Sequence, residues 1–167
     1  TAARVKESLF NILPHDFSGL RVLDLYAGSG NVSIEALSRG AVEAVLVDES
    51  ARSAVVIREN LTRLELLQRA QVWIVPVARA LRKLDKAGEK FDLIFLDPPY
   101  ERGLVKTTLE AIGQCALLNP AAIVVVEHSE REAVRRDYGA LILNDQRRYG
   151  DTLLSFFDKS QAMNTTA

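Results

Sequence analysis

The chain has 167 residues, 48% of them hydrophobic and 26% charged, which suits one globular domain with a sizeable core and excludes a disordered chain. A net charge of −1 gives no global basic signature, so any nucleic-acid contact must come from a local patch or from a part outside this segment. The single cysteine, Cys115, excludes an internal disulfide framework, and with no signal-peptide pattern or bilayer-length apolar run a cytoplasmic protein without membrane association is expected.

Val5, Leu9, Ile12 and Leu13 recur at helical spacing and predict a helix over residues 3–13, closed by Pro14. Its first role is to cover a sheet face, and Phe10 and Asn11 near its end are candidates to line a pocket. Leu20 to Tyr26 reads as a buried strand, Ala27-Gly28-Ser29-Gly30 as a tight turn, and Asn31 to Ser38 as a helix with Ile34 and Leu37 inward. A strand, glycine-rich turn and helix in this order form the first unit of a doubly wound sheet. The glycines let the backbone approach a ligand closely, and the helix start offers free amides.

Ala44 to Asp48 is a second strand with an acidic end. Asp48 is placed to accept the two hydroxyls of a ribose, and Glu49 can share that role. Residues 51–66 predict a helix with Val55, Val56, Leu61 and Leu64 inward. Strands follow at 72–75, 91–96 and 122–127, with helices at 78–86 and 104–118 between them. Ser129 to Asp137 reads as a charged helix or helical turn. Residues 141–143 and 152–157 form a closing pair of strands linked by 145–150. Strands alternating with helices imply a mostly parallel sheet with right-handed crossovers. One domain is expected over residues 1–159, with a flexible tail from 160 to 167.

The chain is organised around Asp97-Pro98-Pro99-Tyr100. Two prolines end the strand at 91–96, since proline cannot donate to a sheet ladder. A carboxylate, a rigid turn and an aromatic ring are left at the carboxyl end of a central strand, where open α/β sheets place their chemistry. Such a turn suits a planar, amine-bearing substrate: Asp97 and the Pro98 carbonyl accept the amine's hydrogens and Tyr100 stacks on the ring. A solubilising Asp before a Pro-Pro turn is the bland alternative.

A glycine turn with an acidic residue on the next strand serves both dinucleotide enzymes and S-adenosylmethionine (SAM) enzymes. Three details favour SAM. A dinucleotide fingerprint needs glycine at position 33, where Ser33 stands. Asp24, just before the turn, would repel a pyrophosphate but can bind the ammonium of SAM. Hydride transfer also has no evident need for the Asp97–Tyr100 turn.

With Asp24-Leu-Tyr-Ala-Gly-Ser-Gly30, Asp48 and Asp97-Pro-Pro-Tyr100, the chain resembles class I SAM-dependent amino-methyltransferases. Arg4 to Leu13, Glu35-Ala-Leu-Ser-Arg-Gly-Ala41 and Tyr149-Gly150 narrow the resemblance to the bacterial small-subunit ribosomal RNA guanine-N2 methyltransferases (the RsmD type), from about Arg4 to Phe157. The resemblance implies a Rossmann-like α/β fold with a mostly parallel seven-stranded sheet, helices on both faces and an antiparallel closing strand. It implies SAM as cofactor and ribosomal RNA or the small-subunit particle as partner. Asp24, Tyr26 and the Ala27, Gly28, Ser29, Gly30 turn would hold the methionine part of SAM. Asp48 and Glu49 would bind the ribose, and Asp97, Pro98, Pro99 and Tyr100 would hold the target amine.

Departures from the family pattern are specific. Pro76-Val77-Ala78-Arg79 offers no acidic or amide side chain for adenine, which leaves backbone contact. Ala3 stands where an Asp is usual. The family's leading RNA-gripping β segment is expected to be absent ahead of Thr1.

His15 and His128 are read as surface residues, no metal site is expected, and Cys115 and Trp73 are read as packing residues. Arg131, Arg135 and Arg136 fit a solvated mixed-charge face, whereas Arg147 and Arg148 are equally placed to contact phosphate. A monomer is the default. Two other functions stay open: an adenine-N6 methyltransferase on DNA or RNA, which uses the same turn, and a SAM-fold scaffold that binds RNA or protein without catalysis. A dehydrogenase is a distant further alternative.

Overall fold

Eight strands form one sheet in the order β3-β2-β1-β4-β5-β8-β7-β6 in the computed structural model, which describes residues 1–160. Strands β1 (Arg21–Leu25), β2 (Glu43–Asp48), β3 (Ala70–Ile74), β4 (Phe91–Leu96) and β5 (Leu118–Ser129) run parallel. β6 (Asp137–Tyr138), β7 (Leu141–Tyr149) and β8 (Thr152–Lys159) complete it antiparallel. The fold is therefore the expected Rossmann-like one, with eight strands in place of seven. The predicted tail reaches the described residues only at Ser160; positions 161–167 lie outside them.

Side chains alternate across the sheet, and the sequence supplies an apolar set for each face. Val22, Leu46, Leu93, Phe95 and Val125 pack under α1 (Ala3–Ile12), α2 (Asn31–Ser38) and α3 (Ala51–Arg63). Leu23, Leu25, Val45, Val47, Ile94, Leu96, Val124 and Val126 pack under α4 (Val77–Lys86) and α5 (Leu104–Gln114). Strands apolar on both faces are what a buried parallel sheet requires. The strand order reverses at β1, between β2 and β4, and this switch point opens a crevice at the carboxyl ends of the strands.

Several local expectations need correction. In α3 the buried positions are Ala54, Ile57 and Leu61, while Val55, Val56 and Leu64 are exposed. Ala54, a small residue, shares the buried face with Ile57 and Leu61, and this face is turned away from Val55 and Val56. Helix α5 stops at Gln114, where Cys115 turns extended, so that the Leu117 carbonyl can accept from the Phe91 amide. β5 then starts before Pro120. It tolerates that proline because its pairing with β4 is irregular between Phe91 and Leu93. The predicted helical segment 129–137 is no helix: Ser129 ends β5, turns and bends follow, and Asp137 opens β6. Ala133 and Val134 alone give this charged segment no apolar stripe to bury. The predicted link at 145–150 is mostly strand, since β7 runs on to Tyr149.

His128 is fully buried rather than superficial. Its Nε2 bonds the Ser155 hydroxyl at 2.7 Å across β5 and β8, its Nδ1 lies 3.0 Å from the Ser129 carbonyl, and burial lowers its pKa. His15 is exposed as expected. Trp73 is half-buried beneath Lys83, and Cys115 packs half-buried against the α5 side, where burial and Asp85 push its thiol up.

Candidate active site

A cleft of about 710 Å³ lies at the carboxyl ends of β1, β2, β4 and β5. Tyr26, Asp48, Glu49 and all of Asp97 to Tyr100 line it. The sequence motifs from three strands therefore meet in one crevice, on either side of the switch point.

Asp24 sits deepest. It lies on β1 with 2% exposure and accepts a 2.6 Å hydrogen bond from the Ser33 hydroxyl at the start of α2. Burial raises its pKa to about 7; the Ser33 bond opposes that rise and the nearby Asp97 adds to it. A buried carboxyl held this high is a site that a cation would relieve.

The turn after β1 is held in left-handed backbone at Tyr26 (φ 60°), Gly28 (59°) and Gly30 (78°). A Cβ on Gly30 would sit 3.0 Å from Leu46 and 3.3 Å from Ile57, so glycine lets the turn close on β2 and α3. The Tyr26 hydroxyl is 2.8 Å from that of Thr108 on α5, which holds this strained residue against the opposite layer. Asp48 completes the turn: one oxygen accepts from the Gly28 amide at 3.0 Å, the other from the Ser50 amide at 2.9 Å. Its remaining lone pairs face the cleft beside Glu49.

Pro76, Val77, Ala78 and Leu81 form an apolar bed on one side of the cleft. The first amides of α4 rise from it without helical acceptors. No acidic or amide side chain comes from this segment, in line with the sequence.

On the β4 side, the Asp97 amide donates to the Leu25 carbonyl at 3.3 Å, tying the turn to β1. The Asp97 side chain is 24% exposed and accepts from the Thr1 hydroxyl at 3.4 Å. Tyr100 is 52% exposed at the cleft mouth. The Glu101 amide donates to the Glu132 carboxylate, which anchors the far end of the turn to the loop after β5.

Asp24, Ala27, Gly28, Ser29 and Gly30 do not line the cleft themselves and join it only through Tyr26 and the Gly28–Asp48 bond, while Phe10 and Asn11 do not reach it at all. Phe10 is 1% exposed and packs on Phe17 with Arg39 over its ring; Asn11 is exposed outside the crevice. Helix α1 instead contributes Val5, with Ala2 and Thr1 ahead of it. Arg131, Arg135, Arg147 and Arg148 are paired with Glu101, Glu110, Asp145 and Glu130 on exposed surface. For Arg147 and Arg148 this weakens the phosphate alternative.

The sequence reading missed Glu127. It ends the apolar run of β5 as Asp48 ends that of β2, which was the available signal. It is 5% exposed and lines the cleft beside Asp97.

Residues 1–158 match the model of a family described as Conserved hypothetical protein 95. A Bacillus subtilis (strain 168) relative, named Putative rRNA methyltransferase YlbH, is 37% identical over 159 residues, covering 95% of this chain and 86% of the relative. The Ribosomal RNA small subunit methyltransferase D of Escherichia coli (strain K12) is 32% identical over 127 residues, covering 76% of this chain and 62% of that protein. Among solved structures, the putative methyltransferase yhhF from Escherichia coli superposes with a TM-score of 0.85 at 26% identity, covering 96% of this chain and 88% of that chain.

Proposed function

The chain belongs to the Conserved hypothetical protein 95 family, and from that membership we propose that it is a SAM-dependent methyltransferase acting on the exocyclic N2 amine of a guanine in small-subunit ribosomal RNA. The observation that carries the reading is the single cleft holding Asp48 and the Asp97–Tyr100 turn, with Asp24 and the glycine turn beneath it.

The residues present suit the cofactor. Asp24, raised to about 7 by burial, gains its natural counterion in the ammonium of SAM. The open space over Gly28 leaves the backbone approachable, Asp48 and Glu49 suit the ribose hydroxyls, and the bed from Pro76 to Leu81 suits the adenine. When bound, SAM supplies an electrophilic methyl group.

The chain's own contribution is positioning and electrostatics. An aromatic amine is a poor nucleophile because its lone pair is delocalised into the ring. Asp97 and the Pro98 carbonyl accept its hydrogens, which turns the nitrogen toward tetrahedral geometry and aims the lone pair along the cleft. The amine becomes acidic only as its new bond to carbon forms, so its proton leaves late, to Asp97 or to water. Tyr100 at the mouth stacks on the splayed base, worth about 1–3 kcal/mol.

The test uses radiolabelled SAM with small ribosomal subunits, free small-subunit RNA and duplex DNA, all from cells lacking the enzyme. After digestion to nucleosides, label in N2-methylguanosine from the ribosomal substrates is expected. Label in N6-methyladenine instead would overturn the guanine assignment.

A further inference from the structure

Glu127 is a buried acid that the mechanism above leaves unused. The parallel register pairs Leu96 with Val126, so the next residues, Asp97 and Glu127, stand side by side where the pairing of β4 with β5 ends. Both point to the α1–α2–α3 face, as Phe95 and Val125 do. Glu127 is 5% exposed, lines the cleft, and its Oε1 is buried with no hydrogen-bond partner among the described residues. A carboxyl oxygen left without a donor inside a protein is costly unless something arrives to fill it. It lies in the same crevice wall as the Asp97 turn.

Two adjacent carboxyls dictate what fits between them. The Watson–Crick edge of guanine presents two donors in a row, the N1–H and the N2 amine. Adenine presents a donor and then a bare acceptor. Resting on the guanine-N2 reading above, we propose that Glu127 is a specificity-determining residue of the target pocket, its carboxylate accepting the guanine N1–H while Asp97 accepts from the N2 amine. An ionised Glu127 would oppose the N1 lone pair of adenine. Selection of the base is then built into the strand ends beside the reacting nitrogen rather than left to surrounding RNA contacts.

The proposal has a pH signature. Facing Glu127 are Asp97 from β4 and Thr1 ahead of α1; Leu154 lies opposite it on β8. Burial is the largest influence and Asp97 the next, and together they push Glu127 up to about 7; the amino group and hydroxyl of Thr1 oppose the rise. A protonated Glu127 can offer its O–H to an N1 lone pair as well as its carbonyl oxygen to N1–H, whereas the ionised carboxylate only accepts and so discriminates between them. Base preference should strengthen as pH rises through about 7.

The experiment uses ligated small-subunit RNA with either guanosine or 2-aminopurine riboside at the mapped target position. 2-Aminopurine keeps the amine but replaces N1–H with a lone pair. Wild type, E127Q and E127D are compared by kcat/KM between pH 6 and pH 8.5 at saturating SAM. Wild type should prefer guanosine by roughly ten- to a hundred-fold at high pH, with the preference shrinking below about pH 7. E127Q, whose amide can present a donor or an acceptor, should bring the preference to within about threefold and make it independent of pH. E127D should retain a preference, rescuing its sign at a lower rate. Equal loss on both bases in E127Q, with SAM affinity unchanged, would make Glu127 merely structural and overturn the assignment. An unchanged preference would overturn it too. Either result with label still in N2-methylguanosine leaves the guanine reading standing, whereas label in N6-methyladenosine from natural RNA removes both.

Discussion

Replacing Asp24 with asparagine should stabilise the ligand-free protein while disabling it. Asp24 is buried beneath the cleft, with its pKa raised from 3.8 to about 7. Below the unfolded value both states hold the proton and the group contributes nothing. Between about 4 and 7 the unfolded chain has released a proton that the native state retains, so stability falls as pH rises; above about 7 the loss is complete. At about 1.4 kcal/mol per unit the full loss is roughly 4 kcal/mol, of which about 3 kcal/mol accrues between pH 5 and pH 8. Asparagine carries no such burden, but it weakens the bond from Ser33, costing about 1 kcal/mol. The net gain for Asp24→Asn at pH 8 is then about 3 kcal/mol, or about 6–12 °C in Tm for a domain of this size. Thermal unfolding of both proteins at pH 5 and pH 8, without ligand, reads the stability, and calorimetric titration with SAM reads the function. The variant should gain most at pH 8 and lose at least tenfold in affinity, about 1.4 kcal/mol. A Tm difference that does not grow with pH would refute the burial argument. Undiminished SAM binding would refute the ammonium assignment.

Three further substitutions separate the parts. Asp97→Asn should lower kcat by about a hundredfold or more with SAM affinity within about twofold of wild type, because Asp97 faces the amine; single-turnover assays beside the same titration check this, and a variant retaining most activity would remove Asp97 from the role. Tyr100→Ala should raise the KM for RNA by about ten- to a hundred-fold, equivalent to about 1–3 kcal/mol of stacking, with little change in Tm since the ring is 52% exposed. Gly113→Ala is a structural control at the contact of α5 with β6: its Cβ would fall 1.8 Å from the Tyr138 carbonyl oxygen, so loss of more than about 3 kcal/mol of stability is expected, read as a collapse in Tm or in folded yield.

The sequence made the parallel half legible because its signals are local. A strand apolar on both faces, a glycine turn and a helix start are written in consecutive residues, and α2 and β4 fall where periodicity puts them. The antiparallel half was harder. β7 carries Asn144-Asp145-Gln146-Arg147-Arg148 because one of its faces meets solvent, and a polar strand of that kind looks like a loop. The burial of His128 depends on Ser155, 27 residues away, a pairing set by β5–β8 register that no local pattern announces. For the site, residues at motif spacing were found; Glu127 carried only the weak signal of an acid closing an apolar run, and the N-terminal wall of Thr1, Ala2 and Val5 enters through topology alone. Phe10 failed for the converse reason: its place on the helix was right, but its face turned to Phe17 and the core.

A fold built only for stability would not put three acids on one face of its sheet. Asp24, Asp97 and Glu127 do so toward the carboxyl side of β1, β4 and β5, and two of them are held near 7 by burial and by Asp97. None of the three has a salt-bridging Lys or Arg side chain among the described residues. Asp97 has the Thr1 amino group at 3.5 Å and Asp24 the Ser33 hydroxyl, but Asp24 and Glu127 are buried acids that no cationic side chain among the described residues meets, which destabilises the ligand-free state, and each of the three is relieved by a different feature of the reactants. An ammonium answers Asp24, and the two donors on one edge of a guanine answer Asp97 and Glu127. The arrangement implies that cofactor and base both stabilise the folded protein. Binding of the first should ease entry of the second, because Asp24 and Asp97 repel one another until a cation stands beside Asp24.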